Sequence, residues 1–324
     1  MKDEPEPVET TTAKKSRARV MWLLAKAALD KDRPILAQIV VTRRCNLSCG
    51  YCYEYDKVSK PIPLDVLKQR IDKLKQLKTV FVTLNGGEPL LHPQIHELVA
   101  YINQLGMVPM INSNGHALKL PLIEKLNDAG LFGMQISCDS LEDNDMTQKS
   151  LRRLQPKLEL LKQHANFVVR INGVLGSANP REVEQVAQRI VDYGFIFQCS
   201  LMRDSNGQAL PLSDEAKEVY HNIRRIKGRL PKALNDDFQL ALARGEEIQW
   251  KCRAGARHFE IDTEGLVHLC QPKTAQYSKP LLDYSVQDIR QHYNGCKDCT
   301  ARCPIAYAHL GSRIDHYRSQ NAQA

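Results

Sequence analysis

The sequence predicts an α/β fold, a parallel sheet built from six strand-helix units and followed by a small cysteine-rich extension. From residue 35 to about 200, β-rich apolar runs alternate with segments whose apolar residues recur at helical spacing. That alternation signals right-handed βαβ units on a parallel sheet. After residue 250 the pattern changes, and five of the ten cysteines fall there: Cys252, Cys270, Cys296, Cys299 and Cys303. A chain of 324 residues can bury one large core or two modest ones.

Residues 1–19 are polar, mixed in charge and rich in Thr, Glu and Lys, and read as a disordered tail. Residues 20–34 read as a short amphipathic helix covering one end of the core, with a membrane-surface anchor as the competing reading. Its apolar run, Val20 to Leu24, is too short to span a bilayer, and no secretory cleavage site follows. The core occupies 35–202. Its first strand is Ile35 to Val41, and Val66, Leu67, Ile71, Leu74 and Leu77 then trace a helix. Further strands are expected at Thr79 to Leu84, Met107 to Ile111, Phe132 to Ser137, Phe167 to Val174 and Phe195 to Leu201. Pro109 argues against the third of these strands, since proline cannot donate to a ladder. Helices are expected near 94–105, 120–129, 150–164 and 180–193. Residues 203–250 are polar and helical and read as a bridge; 251–310 form the cysteine-rich extension and 311–324 a tail. A hairpin is expected there, His258 to Asp262 and Leu266 to Leu269, around Thr263-Glu264-Gly265.

Cys45, Cys49 and Cys52 form a C-x3-C-x2-C run. Thiolates favour iron-sulfur or zinc, and a structural zinc site is normally closed by a fourth protein ligand. Three thiolates with no fourth from the same loop leave a coordination position open to a substrate or cofactor. Downstream, Thr83-Leu84-Asn85 runs into Gly86-Gly87-Glu88-Pro89. Paired glycines let a backbone approach a ligand closely, and Glu88 can accept a hydrogen bond from an ammonium group. An ordinary strand-to-helix turn is the other reading. The next strands end in Asn112-Ser113-Asn114-Gly115 and in Ser137-Cys138-Asp139-Ser140.

The thiol loop, with Tyr51 at the aromatic position before the third cysteine, resembles that of the radical S-adenosylmethionine (SAM) enzymes. The later segments resemble the family's Gly-Gly-Glu-Pro turn, its Thr-Asn-Gly strand end with Ser113 in place of Thr, and its Ser-x-Asp segment. The resemblance implies a partial (β/α)6 TIM-like barrel with its chemistry at the C-terminal ends of the strands. It implies a 4Fe-4S cluster on Cys45, Cys49 and Cys52 whose open iron chelates the methionine moiety of SAM, and cleavage of SAM to a 5'-deoxyadenosyl radical that abstracts hydrogen from a substrate. SAM contacts would come from Tyr51, Gly86, Gly87, Glu88, Ser113, Asn114, Ser137 and Asp139. Arg170 shares a strand face with Asn172, where it could pair with the methionine carboxylate or serve as a salt-bridged scaffold residue. No residue is assigned as acid, base or nucleophile.

The second cysteine set lacks the spacing of a secreted disulfide framework. With no export signal, that points to a reducing, cytoplasmic compartment where clustered thiols bind metal. Four of the five could hold zinc or iron-sulfur equally well. The arrangement resembles the SPASM and shortened twitch extensions of radical SAM enzymes, which implies one auxiliary 4Fe-4S cluster for electron transfer. Cys252 and Cys270 would ligate it with two of Cys296, Cys299 and Cys303, the close pair Cys296 and Cys299 being preferred. Strand alternation assigns Cys138 and Cys199 to the packed core instead.

A net charge of +8 is spread among 37 acids and clusters only at 224–229, so nucleic acid is a weak expectation. The expected partners are a reductant such as flavodoxin or ferredoxin and a peptide or small-molecule substrate. About 35 residues precede the barrel, fewer than a winged-helix peptide-recognition domain needs, so peptide capture would fall to a separate partner. The chain ends without the Gly-Gly-Arg tail of the molybdenum-cofactor cyclases, which sets that activity aside. Two other classes remain: a non-catalytic zinc or iron-sulfur protein, which leaves Gly-Gly-Glu-Pro unexplained, and an RNA-modifying radical enzyme.

Overall fold

A computed structural model of the chain describes residues 11–52, 55–226, 237–273 and 276–315. Helix α1 (Thr11–Leu29) is followed by strand β1 (Leu36–Val40) and helix α2 (Leu64–Gln76). The following units are β2 (Phe81–Asn85) with α3 (Ile95–Gln104), β3 (Val108–Ser113) with α4 (Leu120–Asp128), and β4 (Gly133–Ser137) with α5 (Leu151–His164). Next come β5 (Val168–Leu175) with α6 (Pro180–Asp192) and β6 (Ile196–Leu201) with α7 (Asp214–Arg225). The chain continues through α8 (Asp237–Ala243), β7 (His258–Ile261), β8 (Leu266–His268), β9 (Lys279–Pro280), α9 (Val286–Asn294) and α10 (Ala306–Arg313). All six expected core strands are present.

Alternation along the strands separates two faces. Ala37, Ile39, Val82, Leu84, Ile111, Met134, Ile136 and Ile171 are buried in one core with the stripes of α2, α3, α5 and α6, such as Leu67, Ile71 and Leu74 or Val183, Val186 and Ile190. Apolar residues three and four apart bring one helix face onto the sheet. The other face of the strands is polar: Gln38, Asn85, Gln135, Arg170, Asn172, Gln198 and Ser200. Cys138 and Cys199 lie in the apolar core, as their register requires. Pro109 stands in an interior strand after all. Its carbonyl accepts from Phe132 N just before β4 begins, so the proline falls at the end of the ladder, where a missing N–H disturbs least.

The strand order is β6-β5-β4-β3-β2-β1-β7-β8-β9, one sheet of nine strands. β7 pairs parallel with β1, placing His258 opposite Leu36, and β8 folds back antiparallel on β7. The cysteine-rich segment is therefore continuous with the core sheet.

Helix α1 begins at Thr11, inside the stretch expected to be a tail, and ends at Leu29. Ala, Lys and Arg between residues 13 and 19 are good helix formers, and Pro34 disfavours helix just before it. Val20, Leu23 and Ala27 cover Ile35, Val80 and Val108 at the N-terminal end of the sheet. Residues 1–10 and 316–324, and Pro231 with the basic positions 227–229, lie outside the described residues. Helix α10 occupies the first part of the expected C-terminal tail, and residues 203–213 of the bridge are non-helical. Among the described residues no helix is long and apolar enough to cross a membrane.

The two ends of the chain meet on Arg257, whose guanidinium is fully buried. It forms a two-pronged ion pair with Asp315 (2.6 and 2.7 Å) and donates to the carbonyls of Asp30 and Arg33, both at 2.8 Å. Removing one partner of such a pair leaves a charge stranded in the interior. Arg257→Met should therefore lower the unfolding free energy by about 3–5 kcal/mol. Arg290→Ala, which breaks a surface pair with Asp32, should leave stability nearly unchanged, since solvent screens such a pair. Urea denaturation of both variants checks the contrast.

Candidate functional site

The loop after β1 carries Cys45, Cys49 and Cys52 to the C-terminal ends of the strands, with Cys45 and Cys49 buried and Cys52 partly so. Several N–H groups point at its sulfurs. Leu47 N lies 3.4 Å from Cys45 Sγ, Gln148 N 3.4 Å from Cys49 Sγ, and the Asn114 amide 3.6 Å from Cys45 Sγ. Donors aimed at sulfur suit cluster-bound thiolate, whose charge they spread. Burial meanwhile raises the Cys45 thiol above its ordinary range, so ligation would release its proton. Lys57 clamps the loop by donating to Cys45 O (3.1 Å) and Leu47 O (2.6 Å). From the far side Ser48 N donates to Gln148 Oε1 (2.9 Å) and Gly50 N to Met146 O (3.0 Å).

Gly86 and Gly87 are closely approached by protein backbone. Gly87 N donates to Thr42 O (2.8 Å) and Glu88 N to Arg44 O (2.9 Å). A Cβ on either glycine would collide with the carbonyl oxygen of Thr42 or Arg43. The closely approached partner is the backbone of the cysteine loop itself.

Glu88 is fully buried. Its Oε1 accepts from Leu90 N (3.0 Å) and Ser113 Oγ (2.7 Å), and its Oε2 from Asn114 N (2.7 Å). Burial raises its pKa, opposed by these donors. Asn114 also donates to Asn46 Oδ1 (2.8 Å). Ser113 and Asn114 thus tie the end of β3 to both the turn and the cysteine loop.

Asp139 is also buried and occupied. Oδ2 accepts from Tyr51 Oη (2.7 Å) and Thr147 Oγ1 (2.9 Å), and Oδ1 from Val174 N (3.1 Å). Lys149 Nζ donates to Tyr51 Oη at 2.6 Å. Burial opposes a charged Lys149, but Tyr51 and Asp139 more than offset it and hold its pKa high. Burial first, and the nearby carboxylate, raise Tyr51. Sequence reasoning missed Lys149, Thr147 and Gln148. The signal was their place in the loop after the Ser-x-Asp segment. Ser137 ends β4 opposite Asn172, whose amide oxygen accepts from Ser200 Oγ at 2.7 Å. Arg170 lies two residues deeper on the polar face, with burial lowering its pKa. No hydrogen bond or ion pair engages it among the described residues.

A second site lies beyond β7. Cys252, Cys270, Cys299 and Cys303 line one pocket with Trp250, His258 and Lys297. Burial raises the Cys270 thiol, and the nearby thiols of Cys252, Cys303 and Cys299 raise it further. Cys303 is pushed up to about 12, mainly by burial. Of the expected close pair, Cys299 lines this pocket, whereas Cys296 is exposed and outside the group. Lys297 Nζ binds Gly295 O (3.2 Å) and also His292 O at the end of α9. That turn aims Cys296 outward, while His309 holds Cys303 O (2.8 Å) on the inner side.

Residues 39–196 match the family model described as Radical SAM superfamily. The chain is 29% identical over 193 residues to the S-adenosylmethionine-dependent nucleotide dehydratase RSAD2 of Danio rerio, a match covering 55% of this chain and 53% of that protein. It spans about half the length of that relative. It is 28% identical over 284 residues to the sporulation killing factor maturation protein SkfB of Bacillus subtilis strain 168, covering 82% of this chain and 67% of that protein. In fold it resembles Streptococcus suis SuiB in the crystal structure with precursor peptide SuiA, with a TM-score of 0.62 at 16% identity over 91% of this chain and 72% of that one.

If the pocket holds the ligand set, Cys296→Ala should keep all the iron bound by the unaltered protein, whereas Cys299→Ala and Cys303→Ala should each lose the iron of the second site. Iron and sulfide assays on anaerobically reconstituted protein decide it. Iron lost with Cys296 but kept with Cys303 would reverse the assignment.

Proposed function

We propose that this chain, which belongs to the radical SAM superfamily, is a peptide-modifying enzyme with a 4Fe-4S cluster on Cys45, Cys49 and Cys52 and an auxiliary 4Fe-4S cluster on Cys252, Cys270, Cys299 and Cys303. The observation that carries this reading is the thiol loop itself, with N–H donors aimed at its sulfurs and with Asn114 and Glu88 fixing it to the strand ends. When bound, the first cluster and SAM supply a 5'-deoxyadenosyl radical able to take a hydrogen atom from the substrate.

The chain's own residues bind and orient. A carboxylate offers about four acceptor positions; Glu88 has filled three with protein donors. The remaining one, on Oε2, suits the SAM ammonium group. Arg170, on the polar face and unengaged among the described residues, suits the methionine carboxylate. Ser137 at the end of β4 is left for the ribose, while Asp139 acts through Tyr51 and Lys149 to hold the loop. These few contacts at the strand ends would fix the position of the ligand.

A peptide is favoured as substrate because the match to the maturation protein SkfB is long enough to run past the core into the cysteine-rich segment, and the fold resembles that of SuiB with its precursor peptide. A nucleotide is the second reading, supported by the shorter match to the dehydratase. A low-potential carrier such as flavodoxin or ferredoxin would reduce the first cluster, and the auxiliary one would accept an electron from the substrate radical.

Reconstituted protein should carry about eight irons per chain, and replacing Cys45, Cys49 and Cys52 together by Ala should halve them and abolish SAM cleavage. Glu88→Gln should keep its iron but weaken SAM binding by about 1.5–3 kcal/mol, the value of a charge-assisted hydrogen bond; unchanged affinity in calorimetry would remove Glu88 from the SAM site. Cys270→Ala should still cleave SAM yet form no modified peptide. A folded Cys270→Ala protein that turns over normally would make the second site scaffolding.

A further inference from the structure

The second site contains two polar groups that neither the fold nor the proposed chemistry uses. His258 is fully buried on β7 and lines the pocket of the four thiols. Neither of its ring nitrogens has a hydrogen-bond partner. Tyr307, on α10, packs on the small cluster of Cys270, Cys303, Ile305 and Ala308. Its ring is partly exposed, but its hydroxyl is buried and likewise without a partner. The two rings meet edge to face, with centroids 5.4 Å apart. The neighbouring imidazole behaves differently: His309 is stacked between Trp250 and Phe238 at 3.7 and 3.8 Å and bonds Cys303 O, so it is accounted for by packing.

A buried donor left unpaired loses its hydration without replacement. His258 lines the pocket with Cys252, Cys270, Cys299 and Cys303, and Tyr307 packs on the cluster that contains Cys270 and Cys303, so both hydroxyl and imidazole lie near thiol sulfur. In either tautomer a neutral imidazole carries one N–H, and a phenol carries an O–H. Sulfur held among the thiols, whether cysteine thiolate or inorganic sulfide, is an acceptor for both. We infer that His258 and Tyr307 donate hydrogen bonds to the sulfur of the group bound by Cys252, Cys270, Cys299 and Cys303, and so raise its reduction potential. Donors to cluster sulfur stabilise the more negative, reduced state, which is what an electron acceptor requires. This assignment rests on the reading of the second site as iron-sulfur.

The test uses the full chain with Cys45, Cys49 and Cys52 replaced by Ala, so that the second cluster is observed alone, and compares Tyr307→Phe, His258→Leu and His258→Gln. Without iron, Tyr307→Phe should melt at the same temperature as its parent or higher, because it removes only an unpaired hydroxyl. With iron, Tyr307→Phe and His258→Leu should each make reduction about tenfold less favourable, roughly 59 mV for one electron, and shift the electron paramagnetic resonance signal. His258→Gln, which keeps an N–H, should stay close to the parent. Loss of second-site iron from folded Tyr307→Phe would also support the donor role. A second cluster whose potential and spectrum are the same in all three variants would overturn the inference while leaving the iron-sulfur reading intact. Only about four irons per chain in the unaltered protein would overturn both.

Discussion

Glu88 lies where three parts of the structure come together. Burying a carboxylate is tolerated only when hydrogen bonds replace its water, and its three donors come from the turn after β2 and from the end of β3. That demand fixes the relative height of two strand ends. The same turn presents Gly86 and Gly87 to the backbone of residues 42–44, so the seat of the carboxylate and the start of the cysteine loop share one turn. Asn114 completes the linkage by reaching from the Glu88 donor position to Asn46 and the Cys45 sulfur.

The opposite flank of the loop is held through charge. Lys149, Tyr51 and Asp139 form a chain of short hydrogen bonds, and Asp139 in turn fixes the start of the 147–149 segment that supports Cys49. A buried lysine is expensive unless it is paired, and here the pairing sets the position of the aromatic residue before the third cysteine. Both carboxylates that the sequence marks for ligand binding are therefore occupied first by the protein. What they contribute to a ligand is a rigid surrounding with little spare capacity.

Periodicity and motif spacing made the six core units legible, because apolar alternation and helical stripes are local properties of the chain. The three loop thiols were legible for the same reason. Contacts across long sequence separations were hidden. Lys149 meets Tyr51 over 98 residues, and no local pattern announces the pair. The glycine pair was located correctly, yet its partner is a carbonyl of another loop, which only three-dimensional proximity reveals. Which of Cys296, Cys299 and Cys303 face the pocket depends on the turn at the end of α9, where Lys297 anchors the backbone. Spacing alone favoured the closest chelate and so admitted Cys296. Likewise Pro109 argued against a strand that survives, because its missing N–H falls where the neighbouring strand has not yet begun.

The two cysteine sites differ in how their polar groups are balanced. Around the first, Glu88, Asp139, Ser113 and Asn114 all have protein partners, so the loop holds its shape by internal bonding. Around the second, His258 and Tyr307 keep buried donors without acceptors, and Cys252, Cys270 and Cys303 sit where burial first and neighbouring thiols next oppose their ionisation. A group of sulfur and metal would relieve both conditions, drawing off the thiol protons and accepting the idle donors. The first site is organised by internal bonding, then, while the proposed sulfur-metal group would complete the polar balance of the second. Because β7 pairs with β1 inside one sheet, the strand that carries His258 lies beside the strand from which the first loop departs.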